Sequence, residues 1–168
     1  MNLLILPGSL RRKSSSNAIM KVIVEMITPE VEVEVYDKIG TLPHFNDPDE
    51  APEPVNEFRM KIKKADAVLI CTPEYAFGIP GSLKNALDWT VGSGEFIDKP
   101  VGLVTASSQG ERGHAALLLV LGAISAKIIE EATLLISFVR AKLDEKGNVK
   151  DVATFNGLQK VVQSILSS

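Results

Sequence analysis

A polar loop close to the start of the chain carries the residue types that bind a phosphate. The apolar run 3–6 ends at Gly8, and residues 8–17 contain four serines, three cations and an asparagine before a helical pattern begins. Serine hydroxyls and free N–H groups at a helix start donate hydrogen bonds, and the helix dipole favours an anion there. Arg11 adds a fork of donors that fits a phosphate. The loop therefore predicts an oxyanion site.

Other interpretations of this loop differ in their consequences. It lacks the Walker A sequence and the Gly-x-Gly-x-x-Gly dinucleotide fingerprint, so side-chain hydroxyls would be the main phosphate ligands. It could also be an ordinary helix start, because serine and asparagine are good N-caps. Three cations at the positive end of a helix disfavour that alternative unless an anion lies there.

Two later loops follow apolar strands and have unusual compositions. Residues 72–81 combine prolines and glycines with Tyr75 and Phe77, which can line a flat aromatic ligand. Residues 107–113 offer small side chains at Ser107, Ser108 and Gly110, where backbone can approach a ring closely. A phosphate-binding loop beside two loops of this kind indicates a phosphorylated heteroaromatic ligand such as FMN.

Strand and helix patterns alternate five times along the chain. Strands are predicted at 3–7, 31–35, 65–72, 101–106 and 128–137, and helices at 17–27, 55–64, 82–90, 114–122 (or 114–126) and 152–166. This alternation predicts an α/β protein of flavodoxin-like, three-layer α/β/α architecture with a parallel sheet of order 2-1-3-4-5. Ligands of such sheets bind beyond the carboxyl ends of the strands, so the three loops would meet in one crevice. Residues 1–168 are expected to form a single domain.

Composition excludes several classes of function. The net charge of −3 provides no global basic field for nucleic acid or anionic membrane. One cysteine excludes an internal disulfide, and the two histidines form no metal-binding pattern with carboxylates. No apolar run has the length of a membrane span and no signal peptide is evident, so a cytoplasmic location is expected.

Three side chains could take part in chemistry, but each has a simpler interpretation. Glu74 could be a catalytic carboxylate, although an acid that orders backbone or faces solvent is favoured. Cys71, at the end of an apolar run, is favoured as a buried thiol. His114 is favoured as a helix cap or surface residue over a general base.

The loop motifs resemble those of NAD(P)H-dependent FMN reductases, a family that includes quinone, azo-dye and chromate reductases. The resemblance rests on Gly8-Ser9-Leu10-Arg11 with the following serines and Asn17, on Thr72-Pro73-Glu74-Tyr75, and on the run from 78 to 89 (Gly-Ile-Pro-Gly-Ser-Leu-Lys-Asn-Ala-Leu-Asp-Trp). It covers most of the chain. It implies a flavodoxin-like fold, noncovalently bound FMN, NADPH or NADH as electron donor, a small-molecule acceptor, and a homodimer or homotetramer.

The resemblance also implies which residues meet FMN. The phosphate would be held by Ser9, Arg11, Asn17 and one of Ser14, Ser15 and Ser16; an extra residue between Arg11 and Asn17 leaves the choice of serine open. The isoalloxazine would be lined, largely through backbone, by Pro73, Glu74, Tyr75, Ala76 and Phe77. Its other edge would meet Ser107, Ser108 and Gly110. Ala76 stands where many members have asparagine, which removes a side-chain hydrogen bond.

The implied function is ping-pong hydride transfer from NAD(P)H through FMN to quinones, free flavin, azo compounds or similar acceptors. FMN carries the chemistry, so no side chain need act as acid or base. A noncatalytic flavodoxin-type electron carrier and an FMN-binding regulatory protein stay open as alternatives. The sequence shows no recognisable site for a 2′-phosphate, so it does not distinguish NADPH from NADH as the donor. The apolar helix that begins at His114 is expected to form a subunit interface, with Trp89 and Leu87 as further candidates.

Overall fold

Five parallel strands form one sheet in the computed structural model, which describes residues 1–11 and 13–168. The strands are β1 (Asn2–Pro7), β2 (Glu32–Val35), β3 (Ala67–Thr72), β4 (Pro100–Ala106) and β5 (Lys127–Ile136). Their order is β2-β1-β3-β4-β5. The predicted flavodoxin-like topology is therefore confirmed, and the carboxyl ends of all five strands lie at one edge.

Helices cover both faces of this sheet. They are α1 (Ser15–Met26), α2 (Glu53–Lys64), α3 (Gly81–Asp88), α4 (Glu111–Ala123), α5 (Val139–Lys142) and α6 (Val152–Leu166), with a 3₁₀ turn at Ile39–Thr41. The short helix α5 was not predicted, because four residues are too few to show a helical period. None of the helices in the described part of the chain has the length and apolar character needed to cross a membrane.

The apolar runs in the strands are explained by burial on two faces. Leu4 and Leu6 of β1 pack into a core with α2, α3 and α4, whereas Leu3 and Ile5 pack into a second core with α1 and α6. All six residues of β3 are buried. The edge strand β2 instead alternates exposed glutamates with valines, as expected of a strand with one solvated face.

The long connection between β2 and α2 folds over α3 and buries Trp89, the C-cap residue of that helix. Trp89 is 1% exposed, its indole N–H donates to the Pro43 carbonyl oxygen over 2.8 Å, and Phe45 packs edge-on against its ring. Leu87 is fully buried as well. The expectation that Trp89 and Leu87 take part in a subunit interface is therefore wrong. On α4, Leu117 and Leu121 are buried, but Leu119 is 77% exposed.

Candidate functional site

A cavity of about 530 Å³ lies at the carboxyl edge of the sheet, within the range typical of small-molecule sites. The loops after β1, β3, β4 and β5 all contribute to its wall. The predicted site residues that line it are Arg11, Ser14, Ser15, Ser16, Pro73, Glu74, Tyr75, Ser107 and Ser108. The other predicted site residues, which are Ser9, Asn17, Ala76, Phe77 and Gly110, do not line it.

The start of α1 supplies hydrogen-bond donors to this cavity. Ser14 is the N-cap, and its Oγ accepts from the Asn17 N–H over 3.1 Å and lies 3.1 Å from Ser16 Oγ. The Ser15 hydroxyl lines the cavity and makes no side-chain hydrogen bond with residues 1–11 or 13–168. Ser15 and Ser16 are the first two residues of α1, so their backbone N–H groups have no acceptor within the helix. The capped helix and the oxyanion site are thus compatible, because the cap leaves other donors available to an anion.

Asn17 stabilises the first loop by a hydrogen bond outside the cavity. Its Nδ2 donates to the Arg11 carbonyl oxygen over 3.0 Å, and its Oδ1 is buried without a partner in the described part of the chain. Asn17 lies in the first turn of α1, and its side chain reaches back to the loop and not into the cavity. Arg11 and Lys13 line the cavity as cations. The remaining cation of the loop, Arg12, lies outside the described residues.

Ser9 connects the first loop to the second. It is 5% exposed, its Oγ accepts from the Arg11 N–H over 3.2 Å, and it lies 3.1 Å from the hydroxyl oxygen of Tyr75. The Tyr75 ring itself is 41% exposed and lines the cavity. Ser9 therefore orients a cation and an aromatic ring that face the cavity.

The second loop ends in a two-residue turn. Tyr75 and Gly78 exchange both backbone hydrogen bonds, at 3.0 and 2.9 Å, and the residues between them have positive φ angles, 48° at Ala76 and 58° at Phe77. This is the type I′ geometry that favours asparagine at its first central position. Alanine in place of asparagine at position 76 therefore costs conformational energy, and it also removes a side-chain hydrogen bond. Phe77 is exposed, and the Arg112 guanidinium lies 4.5 Å from its ring centroid.

Glu74 holds the second loop to the third. Its carboxylate accepts from the Gly113 N–H over 2.7 Å and from the Gly110 N–H over 3.3 Å, at the start of α4. A Cβ at position 113 would lie 3.0 Å from Glu74 Cγ and 3.1 Å from the Gly78 carbonyl oxygen, so a side chain there would press against the second loop. Gly110, with φ +99°, is the N-cap of α4 and does not line the cavity. Glu74 thus orders backbone, which was the favoured interpretation of its sequence context.

The segment after β5 forms a wall of the cavity that the sequence did not predict, made of Phe138, Val139, Arg140 and Ala141. Two further residues that were not predicted, Lys13 and Ala106, also line the cavity. The N–H groups of Phe138 and Val139 donate to the carbonyl oxygens of Ser108 and Ser107 over 3.0 and 3.1 Å. The available signal was topological: β5 is parallel to the other strands, so its carboxyl end must lie at the same edge.

Burial shifts the pKa of two titratable side chains near the site. Burial raises the pKa of the Cys71 thiol to about 12, and its Sγ donates to the Ser16 carbonyl oxygen over 3.2 Å. His114 is half-buried, and its Nδ1 lies 2.9 Å from Thr105 Oγ1 on β4. Burial lowers the pKa of His114. His114 is therefore not the helix cap, which is Gly110, and its hydrogen bond to Thr105 holds one side of its ring against the sheet.

Comparison with known proteins identifies the family. Residues 1–141 match the family model described as NADPH-dependent FMN reductase. The chain belongs to the NADPH-dependent FMN reductase family. The family resemblance drawn from the loop motifs is thus confirmed, together with the enzyme class, the FMN cofactor and the dependence on NAD(P)H.

Individual relatives of this FMN reductase chain agree with that assignment. It is 36% identical to an NADPH azoreductase of a Bacillus strain over 120 residues, which is 70% of this chain and 65% of the azoreductase. It is 30% identical to an NAD(P)H-dependent FMN reductase of Pseudomonas aeruginosa over 94% of this chain and 89% of that protein. The solved structure of the flavoenzyme NAD(P)H:acceptor oxidoreductase FerB from Paracoccus denitrificans superimposes with a TM-score of 0.86 at 29% identity, covering 99% of this chain and 95% of that one.

The residues around the cavity fit FMN. The donors at the start of α1 and the cations Arg11 and Lys13 suit a phosphate, and Tyr75, Ala106 and Phe138 offer apolar surface to a flat ring. Among the residues that the structure describes, no cluster of His, Cys, Asp and Glu could hold a metal ion.

Proposed function

We propose that this reductase holds FMN in the 530 Å³ cavity and passes reducing equivalents from NADPH or NADH to a small-molecule acceptor. The observation that carries the proposal is the meeting of an anion-binding helix start and aromatic, small-residue loops around one cavity. Quinones, azo compounds and free flavin are the proposed acceptors, in line with the names of the azoreductase relative and of a quinone reductase of Pseudomonas putida that is 34% identical over 118 residues. Bound FMN would supply the hydride chemistry.

The proposed roles of the side chains follow from their positions. Arg11 and the serines that line the cavity would hold the phosphate, and the free hydroxyl of Ser15 is the best placed of these. Ser9 and Asn17 would brace the loop. The ring would be framed by Pro73, Glu74 and Tyr75 on one side and by Ser107 and Ser108 on the other, with Phe138 as an additional contact. Ala76, Phe77 and Gly110 do not line the cavity, so their proposed role is to shape the two loops that carry these residues.

Electron donor and acceptor would share one cavity, which supports a ping-pong scheme. Neither substrate would then require the other to be present. Double-reciprocal plots for NADPH and benzoquinone should give parallel lines, whereas intersecting lines would show a ternary complex and contradict the shared site.

The proposed function is tested with purified protein and three measurements. The protein should bind about one FMN per chain, bind riboflavin much more weakly, and oxidise NADPH or NADH with a quinone and no protein partner. Equal affinity for FMN and riboflavin would refute the phosphate role of the α1 start. FMN binding without NAD(P)H oxidation would instead favour the electron carrier or the regulatory protein.

We also propose a homodimer or homotetramer, a cytoplasmic location and a single FMN-binding domain over residues 1–168. Leu119, which is 77% exposed, is the contact proposed for an interface on α4. The single cysteine, present as a free thiol, suits a reducing compartment. All five strands belong to one sheet, which supports a single domain. A monomer in light scattering at micromolar concentration would contradict the oligomer.

A further inference from the structure

A second cavity, of about 220 Å³, adjoins the first and has a different character. It lies between α1 and the turn at residues 144–148, and it shares Lys13 and Ser14 with the larger cavity. Lys21 and Lys146 line only the smaller one. We call this smaller cavity the lysine groove. A ligand too long for the larger cavity could extend into the lysine groove past the shared residues.

The lysine groove concentrates positive charge on an acidic chain. Three lysines and one glutamate, Glu25, line it, which gives a lining charge of +2 against a net charge of −3 for the whole chain. Within the described residues, the three salt bridges involve other lysines, namely Lys38, Lys61 and Lys84. Ammonium groups gathered around one cavity repel one another, and a bound anion would relieve that repulsion.

The turn that carries Lys146 is ordered by its own hydrogen bonds. Asp144 Oδ1 accepts from the N–H groups of Lys146 and Asn148 over 2.9 and 2.8 Å, and its Oδ2 accepts from Asn148 Nδ2 over 2.9 Å. The turn lies against α1, since a Cβ at Gly147 would be 3.5 Å from Ala18 Cβ. The backbone of Lys146 is therefore held opposite α1 by packing and hydrogen bonding, so this wall of the groove is ordered.

We propose that the lysine groove binds the phosphorylated adenosine end of NADPH and that Lys21 and Lys146 select NADPH over NADH through its 2′-phosphate. This inference rests on the proposed function, because it places the second half of the electron donor beside the FMN cavity. NADPH and NADH differ only in the 2′-phosphate, and lysine ammonium groups are effective phosphate ligands. The FMN phosphate has its own donors in Arg11, Ser15 and Ser16, which line only the larger cavity.

The test titrates FMN-loaded protein with adenosine 2′,5′-bisphosphate and with 5′-AMP by calorimetry. The bisphosphate should bind more tightly. Lys21→Gln and Lys146→Gln should each weaken its binding about ten- to 150-fold, as loss of a hydrogen bond to a charged group does, and leave 5′-AMP binding unchanged. The matched control is Lys160→Gln, which removes an exposed lysine of α6 and should change neither affinity. The kcat/KM for NADPH should fall in parallel with the bisphosphate affinity, and that for NADH should not.

Several outcomes would overturn the inference. These are equal affinities of the wild-type protein for the two nucleotides, unchanged bisphosphate binding in both lysine variants, or weaker FMN binding in Lys21→Gln. Loss of discrimination in Arg140→Gln alone would move the 2′-phosphate site to the opposite wall and also overturn it. Failure of the proposed function would look different, because FMN-loaded protein would then oxidise neither NADPH nor NADH, whatever the nucleotide titrations gave.

Discussion

The hydroxyl groups of Tyr75 and Ser9 lie 3.1 Å apart and join the loop after β3 to the loop after β1. The same Ser9 oxygen accepts the N–H of Arg11, so a ring-lining residue and a phosphate-binding candidate share one anchor. The Tyr75 hydroxyl is thus part of the framework of the site. Its contribution should appear in cofactor binding and not in turnover.

Tyr75→Phe should weaken FMN binding by about 0.5–1.5 kcal/mol, the usual net value of a neutral hydrogen bond, and keep most of kcat. Fluorescence titration with FMN and steady-state kinetics with benzoquinone measure the two quantities. Ser9→Ala is the matched variant, and combining it with Tyr75→Phe should cost less than the sum of the single changes. A loss of kcat beyond ~10²-fold would show instead that the Tyr75 hydroxyl is a general acid.

Arg11→Ala should weaken FMN binding by about 1.5–3 kcal/mol, because hydrogen bonds to charged groups have that value. Riboflavin, which lacks the phosphate, should bind equally to both proteins. Asn17→Ala should have a smaller effect on FMN, since the Asn17 side chain does not line the cavity and donates to the Arg11 carbonyl oxygen. Arg12→Ala should likewise weaken FMN binding less than Arg11→Ala, because Arg11 stands at the position that matches the family motif. A larger effect in Asn17→Ala than in Arg11→Ala would assign the phosphate contact to Asn17.

Glu74→Ala should lower the free energy of unfolding by about 1–3 kcal/mol, because it leaves two N–H groups at the start of α4 without their acceptor. Glu74→Gln keeps an amide oxygen as acceptor and should lose less. Urea unfolding of both variants measures the difference. The control is Glu111→Ala, an exposed acid in the first turn of the same helix, for which only a few tenths of a kcal/mol are expected. Equal losses at positions 74 and 111 would refute the role of the Glu74 contacts.

Ala76→Asn should raise the free energy of unfolding by roughly 0.5–1 kcal/mol, because asparagine tolerates the left-handed backbone at this position better than alanine. Ala115→Asn, in the exposed part of α4, is the control and should lower it by about 0.5 kcal/mol through reduced helix propensity. Thermal unfolding of the two variants checks the opposite signs. A destabilised Ala76→Asn protein would mean that the turn is not type I′ in solution.

His114 should make stability depend on pH below its ordinary pKa of 6.5. Burial lowers the folded-state pKa, so the unfolded chain binds more protons than the folded one between the two pKa values. Stability should therefore be complete above pH ~6.5 and fall as the pH drops through that window. His114→Gln should remove this component of the pH dependence. An unchanged pH profile in His114→Gln would contradict the prediction.

Local patterns were sufficient for the sheet and for much of the cavity. The run at Ala67–Thr72 is apolar throughout because a central parallel strand is buried on both faces, and that pattern is legible without a structure. Glycine, proline and serine after β1, β3 and β4 mark loops with free donors and little side-chain bulk. Since parallel strands end at one edge, the topology alone brings those loops together.

Contacts between residues far apart in the chain had to come from the tertiary structure. Glu74 meets Gly113, Tyr75 meets Ser9, and Trp89 meets Pro43, and in each pair the partner is set by how the loops fold over the sheet. Packing also determined that the Asn17 side chain reaches back to the first loop. It determined as well that residues 138–141 form one wall of the cavity. The sequence determined which elements form and where ligands can bind, because burial and backbone preference act locally. Only the folded chain determined which hydrogen-bond donors stay free for a ligand. A donor stays free when no acceptor from a distant part of the chain is placed within hydrogen-bond distance of it.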